Sequence, residues 1–255
     1  FTSGARAVII KQITASQATS STLGWYCFDT ARGMATSGAT SGSTTFSGNV
    51  TDMLKIQGPS NGGGTGLQFG EGAYTIEFWI KTTANYGWIM HNAQNNTGFR
   101  LCIGSNGGGG NDGKIQFNEQ VSNSDDYSYG TSTINDGQWH HVAISRPSSG
   151  IPKIFIDGTH EGQGSNGSRN ISSNDDCWIG RRYTGGGYAL NGQLSNFRVT
   201  GAALYTSNFT PTTSPLTQTG DTKLLFLQSD TDPLASTVTP GTISYTGGTM
   251  TATAD

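Results

Sequence analysis

The segment "YTIEFWIKT", residues 74 to 82, alternates strictly, with Tyr74, Ile76, Phe78 and Ile80 on one side and Thr75, Glu77, Trp79 and Lys81 on the other. A period of two held over this length predicts a strand with one face in a core. The same pattern returns in "KIQFNEQ" with Ile115 and Phe117, in "KIFIDG" with Ile154 and Ile156, and in "NFRVT" with Phe197 and Val199. Between these runs lie Gly/Asn/Ser loops, "GPSNGGGTG", "SNGGGGNDG" and "YTGGGY". No segment keeps a helical period, and "GAALYT" offers one turn at most. Many short strands separated by turn signals predict an all-β, antiparallel sandwich or jelly roll.

Three regions follow from the pattern. Residues 1–50 hold two strand candidates, "ARAVIIKQI" and "GWYCFDTAR", and then a Ser/Thr/Gly-rich linker, "GMATSGATSGSTTFSGN". Residues 51–215 carry the dense strand pattern of the sandwich. Residues 216–255 hold one apolar strand, "KLLFLQ", and a Thr/Gly-rich tail. The two outer regions read as β extensions. A lone apolar strand leaves its backbone groups unpaired. The extensions are therefore expected either to complete the sheets or to pair with a neighbouring copy, and the second outcome is favoured for at least one end.

Composition narrows the chemistry. Charged residues make up 12% of the 255, about half the ~25% of an ordinary soluble domain, and the net charge is −3. That balance offers no basic face for nucleic acid. No apolar run approaches the ~20 residues that span a bilayer, so membrane insertion is not expected. Cys27, Cys102 and Cys177 are too few and too widely spaced for a disulfide framework or a zinc site. They are expected as buried free thiols, with a Cys102–Cys177 bridge as the alternative.

In "DGQWHHVAISR", residues 136 to 146, Asp136-Gly137 is a turn dipeptide and the rest reads as a strand; a second Asp-Gly, at 157 and 158, closes the next strand. The ordered landmarks "YTIEFWIKT", "DGQWHHVAISR", "KIFIDGT", "CWIGRR" and "LNGQLSNFRVTGAALYTSNFTP" resemble the laminin G-like domains of the concanavalin A-like lectin/glucanase superfamily. The resemblance covers about residues 54 to 211. It implies the antiparallel sandwich, with Trp139 in its core and His140 and His141 on opposite faces of one strand. The closing run "FRVTGAALYTSNFTPTTSPL" is similar to the version of this domain in bacteriophage virion proteins, and "GWYCFDTARGM" resembles a stretch upstream of such domains.

The superfamily includes glucanases, so hydrolysis is tested on the residues. Retaining glycosidases need two carboxyl groups about 5 Å apart. The four glutamates, Glu71, Glu77, Glu119 and Glu161, have no acidic residue two or four positions on. No nucleophile elbow or metalloprotease motif is present either, and no catalytic residue is expected. Calcium takes carboxylate and carbonyl oxygens from loops. The resemblance implies a rim site for which Asp175, Asp176, Asp125 and Asp126 are the candidates, with Asp112 behind them; the alternative is that they are ordinary turn aspartates. A sugar needs an aromatic ring beside polar groups. Tyr127, Tyr129, Tyr183 and Tyr188, with Arg182, are the candidate glycan-binding residues; the alternative is that the tyrosines pack under loops or against another subunit.

These expectations converge on a non-enzymatic virion structural protein, a bacteriophage tail-fibre, appendage or capsid-decoration component that binds host surface glycans. Its expected partners are copies of itself and other virion proteins, and its expected location is the virion, assembled in the host cytoplasm. The alternative is a cell-surface or secreted glycan-binding adhesin, and the third reading is a polysaccharide hydrolase.

Overall fold

The computed structural model describes residues 7–10, 26–29, 42–104, 110–183, 187–245 and 250–254. The chain divides by contact into two units, Phe1–Thr36 and Ser37–Asp255. In the first, β1 (Ala7–Ile10) pairs antiparallel with β2 (Tyr26–Asp29), Ala7 opposite Asp29. Much of the Ser/Thr/Gly stretch before residue 42 lies outside the described residues.

The second unit holds β3 (Ser43–Ser47), β4 (Leu54–Ile56), β5 (Tyr74–Lys81), β6 (Gly87–His91), β7 (Gly98–Ile103) and β8 (Lys114–Val121). It continues with β9 (Ser124–Thr133), β10 (Trp139–Arg146), β11 (Lys153–Ile156), β12 (Thr159–Gln163), β13 (Cys177–Ile179) and β14 (Asn191–Thr200). The last four strands are β15 (Thr222–Phe226), β16 (Ser236–Val238), β17 (Ile243–Tyr245) and β18 (Thr251–Thr253). One sheet runs β12-β11-β10-β5-β14-β15-β16, with β3 beside β14 and β18 beside β3; the other runs β17-β4-β13-β6-β7-β8-β9. This is the expected antiparallel sandwich. No helix among the described residues is long and apolar enough to cross a membrane.

Alternation builds the core. Ile76, Phe78 and Ile80 of β5 face Leu101, Phe117 and their neighbours across the sandwich, all fully buried in one cluster. Phe78 stacks on Phe197 at 4.9 Å, and Phe197 meets Phe226 edge-on at 5.5 Å. Each such side chain contributes about 1.5–3 kcal/mol by leaving water. Cys102 and Cys177 are free and buried, as the spacing suggested.

The two-residue turns supply the left-handed backbone that hairpins with right-handed twist require: Ser122-Asn123 between β8 and β9, and Asp157-Gly158 between β11 and β12. At Gly158 (φ +79) a Cβ would lie 1.9 Å from the Phe209 carbonyl oxygen, so only glycine lets residues 201–216 pass this closely.

Two parts of the chain sit differently from the sequence reading. The "STTFS" run, placed in the linker of residues 1–50, is β3, and its Phe46 is fully buried. One phenylalanine among hydroxyl residues carries no visible period, so the pattern hides this strand. The C-terminal piece, 216–255, is built into the sandwich: "KLLFLQ" supplies β15, paired along β14, with Leu224, Leu225 and Phe226 buried. It completes a sheet of its own chain. The hinge of this arrangement is Asn196, whose left-handed backbone (φ 50) marks a bulge between Ser195 and Arg198. On the flank away from β5, the first half of β14 pairs with β3 and the second half with β15. Asn196 fixes the bend through its Oδ1, which accepts from the Leu216 N–H and the Gln228 amide.

Candidate functional site

The paired histidines of β10 belong to the scaffold. His141 lies on the outer face of its sheet beneath residues 201–216, edge-on to Trp79, Tyr205 and Phe209. Its Nε2 is 3.4 Å from Glu77, which Arg198 holds at 2.6 Å and to which the Tyr205 hydroxyl donates. Burial pushes the Glu77 carboxyl up, but His141 and Arg198 outweigh it and leave the group below its ordinary value. His140 points the other way, between Asp157 (2.8 Å) and Asp136 (3.1 Å). The two histidines therefore share no site. Trp139 is a correction: it packs on Trp79 in a separate small cluster. It shares the parity of His141, Ala143 and Ser145, whereas Val142 and Ile144 fill the sandwich core.

Three of the four glutamates, Glu77, Glu119 and Glu161, are held by protein donors. Arg146, fully buried, binds Glu119 at 2.6 Å, and Tyr74 donates to the same Oε1 from 2.7 Å. The remaining Arg146 donors hold the carbonyls of Gly70, Gly72 and Arg169. Glu161 accepts from the Thr131 and Ser132 N–H groups and ties β12 to β9, closing one open side of the sandwich.

The four aspartates proposed for calcium are also occupied by protein donors. Asp175 accepts from the Asn95 backbone and side chain and from the Ser173 hydroxyl. Asp176 accepts from the Gly58 N–H and lies 3.4 Å from the Lys55 ammonium. Burial raises its carboxyl, but Gly58, Asn61 and Lys55 outweigh that and hold it below the ordinary value. Asp126 accepts from the Ser165 and Asn166 N–H groups, while Asp125 takes Asn118, Gln120 and Tyr127. Asp112 accepts from the Tyr86 hydroxyl. Among the described residues no three His, Cys, Asp or Glu side chains converge as a metal would need. A cation already beside Asp176, and N–H groups on the others, do not fit a calcium ion.

The remaining candidates lie on or beside one surface, the outer face of the seven-stranded sheet. Strand register sets its rows. Lys55, Trp178, His91, Arg100, Asn118 and Tyr127 follow one another across β4, β13, β6, β7, β8 and β9. A second row runs Trp88, Cys102, Gln116 and Tyr129. Directly opposed residues in antiparallel strands point to the same face, so these side chains share it. At the β9 end Tyr127 and Tyr129 are 39% and 38% exposed, with rings 6.1 Å apart and nearly parallel at 21°. Asn118, Gln120 and Asp125 interlock beside them, and Arg100 reaches Asp125 at 3.7 Å and the Gln120 carbonyl.

The middle of the face, at β13 and β6, is built from Trp178, Trp88 and the loops beside them. Arg182 lies 5.8 Å over the Trp88 ring, Tyr183 lies 6.5 Å from Trp178, and Tyr188 packs 5.3 Å from Tyr86. The two tyrosine pairs therefore do not meet. Tyr129 and Trp88 are three strands apart, about 14 Å at ~4.8 Å per strand.

In the same middle strands sits His91, 1% exposed, with its ring edge-on to Trp88 at 5.8 Å. Neither ring nitrogen has a hydrogen-bond partner among the described residues. Burial, with Arg100 and Arg182 adding to it, pushes the imidazole down to about 3, so it is neutral. Trp178 Nε1, Arg100 Nε, Arg182 Nε and Gln116 Oε1 are likewise buried without partners. Six of the thirteen such side-chain atoms among the described residues thus lie on this face, and a buried polar group left unpaired costs about 1–3 kcal/mol. His91, Arg100 and Trp88 escape a reading of the sequence because only the register brings them together. The one local signal is a polar residue at a strictly alternating position, as in "GFRLCI".

A family model described as the concanavalin A-like lectin/glucanases superfamily matches residues 60–208. Over 105 residues the chain is 30% identical to neurexin-2 of Mus musculus, and equally to that of Homo sapiens. The match covers 40% of this chain and 6% of neurexin-2, so the chain spans a small fraction of those relatives' length. Among solved structures, domains LG4-5 of the mouse laminin alpha1 chain superpose with a TM-score of 0.50 at 16% identity, over 74% of this chain and 48% of that one. A SAP-like pentraxin from Limulus polyphemus gives a TM-score of 0.47 at 23% identity, over 65% and 78%.

Proposed function

The chain belongs to the concanavalin A-like lectin/glucanases superfamily, and we propose that its sandwich is a non-enzymatic module that binds a carbohydrate on the outer face of the seven-stranded sheet. One observation carries this reading: the paired, exposed rings of Tyr127 and Tyr129 stand beside an interlocked set of amide, carboxylate and guanidinium groups. A sugar can lay its C–H face on such rings while its hydroxyls meet the polar set. The opposite sheet offers no comparable surface around His141, where residues 201–216 cover it, with the Tyr205 and Phe209 rings 3.6 Å apart.

Retention on a glycan array, followed by titration of the retained sugar into Tyr127→Ala/Tyr129→Ala, tests the assignment. Affinity should fall at least tenfold, about 1.4 kcal/mol. Equal binding by the native chain and the double variant would overturn it.

We further propose that the module serves in a virion, as a bacteriophage tail-fibre, appendage or capsid-decoration component that assembles with copies of itself and meets host surface glycans. The similarity of "FRVTGAALYTSNFTPTTSPL" and "GWYCFDTARGM" to segments of phage virion proteins supports that setting. Mass spectrometry of purified particles checks it. Finding the chain only on cell surfaces or in culture medium would favour an adhesin instead.

A further inference from the structure

We propose that the centre of the same face, between His91, Arg100, Trp178 and Arg182, is an anion site that receives a carboxylate or sulfate group carried on the bound saccharide. The proposal rests on the carbohydrate reading for the saccharide and on separate groups for the anion. His91, buried to 1% exposure and with both ring nitrogens unpartnered among the described residues, marks the place. Donors predominate around it. Trp178 Nε1, Arg100 Nε and Arg182 Nε each carry a hydrogen without an acceptor, and a neutral imidazole adds one more.

The local charge is one-sided. Arg100 has Asp125 at 3.7 Å, and Lys55 beside Trp178 has Asp176 at 3.4 Å, but Arg182 has no carboxylate partner among the described residues. Each guanidinium acts on the other and both act on His91, which stays neutral beside them. Water can satisfy an orphaned N–H, but it cannot balance an uncompensated guanidinium at a partly buried position. A planar carboxylate or a sulfate does both, because guanidinium groups bind such oxyanions through paired N–H donors. The site is about three strand spacings from the tyrosine platform, so one ligand reaches both places only as an oligosaccharide with the acidic group away from the ring on Tyr127 and Tyr129. The site lies in mid-sheet and uses none of the aspartates considered for calcium.

Calorimetric titration of the full chain with lactose, 3′-sialyllactose and 3′-sulfated lactose, and with trigalacturonate and its methyl ester, tests the inference. At least one acidic sugar should bind tenfold or more tightly than its neutral counterpart, and Arg182→Gln should erase the preference. Comparison of the sialylated and sulfated sugars tells carboxylate from sulfate. Equal affinity for acidic and neutral members would overturn the anion site and leave the carbohydrate reading standing. Sodium sulfate alone provides the separate arm, read by the shift of the Trp178 indole N–H in NMR spectra. A saturable shift that is absent in Arg182→Gln supports the anion site even if no sugar binds, in which case the carbohydrate reading fails. No shift with sulfate overturns the anion site.

Discussion

Acid should destabilise the sandwich through His91, and the size of the effect follows from its surroundings. The imidazole is enclosed by Trp88 and flanked by the two guanidiniums of Arg100 and Arg182, with no carboxylate among the groups acting on it. Its folded value of about 3 lies below the 6.5 of an exposed histidine. Between those two pH values the unfolded chain holds a proton that the folded chain does not, so stability is full above 6.5 and is lost as pH falls. Each pH unit in that interval removes ~1.4 kcal/mol, giving ~2.7 kcal/mol by about pH 4.5. That is a large share of the ~5–15 kcal/mol that holds a domain folded. Urea unfolding followed by tryptophan fluorescence, at about pH 7 and about pH 4.5, should show this loss in the native chain. His91→Phe keeps a ring against Trp88 and removes the titration, so its loss over the same interval should be smaller by roughly 2–3 kcal/mol. Equal losses in the two proteins, or an imidazole resonance that titrates near 6.5 and is assigned to His91, would refute the reasoning.

His140 should act with the opposite sign. Its hydrogen bond to Asp157, aided by Asp136, raises it above the ordinary histidine value against the pull of burial. Its contribution is therefore complete below 6.5 and fades as pH climbs through the raised value, so thermal midpoints should fall on the alkaline side in the native chain and stay level in His140→Gln. Arg146→Met should cost about 3–5 kcal/mol in urea unfolding, because it strands Glu119 at zero exposure beside Tyr74. Adding Glu119→Gln should return part of that loss; no recovery would mean that the packing of Arg146, rather than its charge, matters.

The alternation in residues 74–81 gave away both β5 and the sheet face it covers, since apolar and polar positions there have different surroundings. "KLLFLQ" was equally visible as a strand, yet its partner was not, because pairing along β14 depends on the bulge at Asn196 and not on the strand's own residues. The Ser43–Ser47 strand stayed hidden because a mostly hydroxyl strand can be buried when neighbours satisfy it, as Thr253 and Asn191 register there. Tyr127 and Tyr129 could be proposed from their polar context, but a reading that sets them in a loop misses β9, the strand on which they share a face. The centre of that face could not be proposed, because His91, Arg100 and Trp178 come from three separated strands and acquire meaning only in register. Trp139 differs for a related reason: the family resemblance implied the core, while its parity places it with His141 outside.

The divided flank of β14 governs when this protein can fold at all. Strand β5 is complete at Lys81, but the second of its two partners begins at Asn191, 110 residues later in the chain. β14 itself is flanked fully only after Phe226. At about 5–20 residues per second a ribosome leaves β5 without that partner for roughly 5–20 s. During that time an apolar strand edge is open to other nascent chains. Contacts this distant in sequence also place the domain among slow folders, because chain closure must precede the pairing that rewards it. Messages truncated before the codon for Phe226 should therefore yield aggregates rather than partial sandwiches, and rapid overexpression should be less productive than slow synthesis at low temperature.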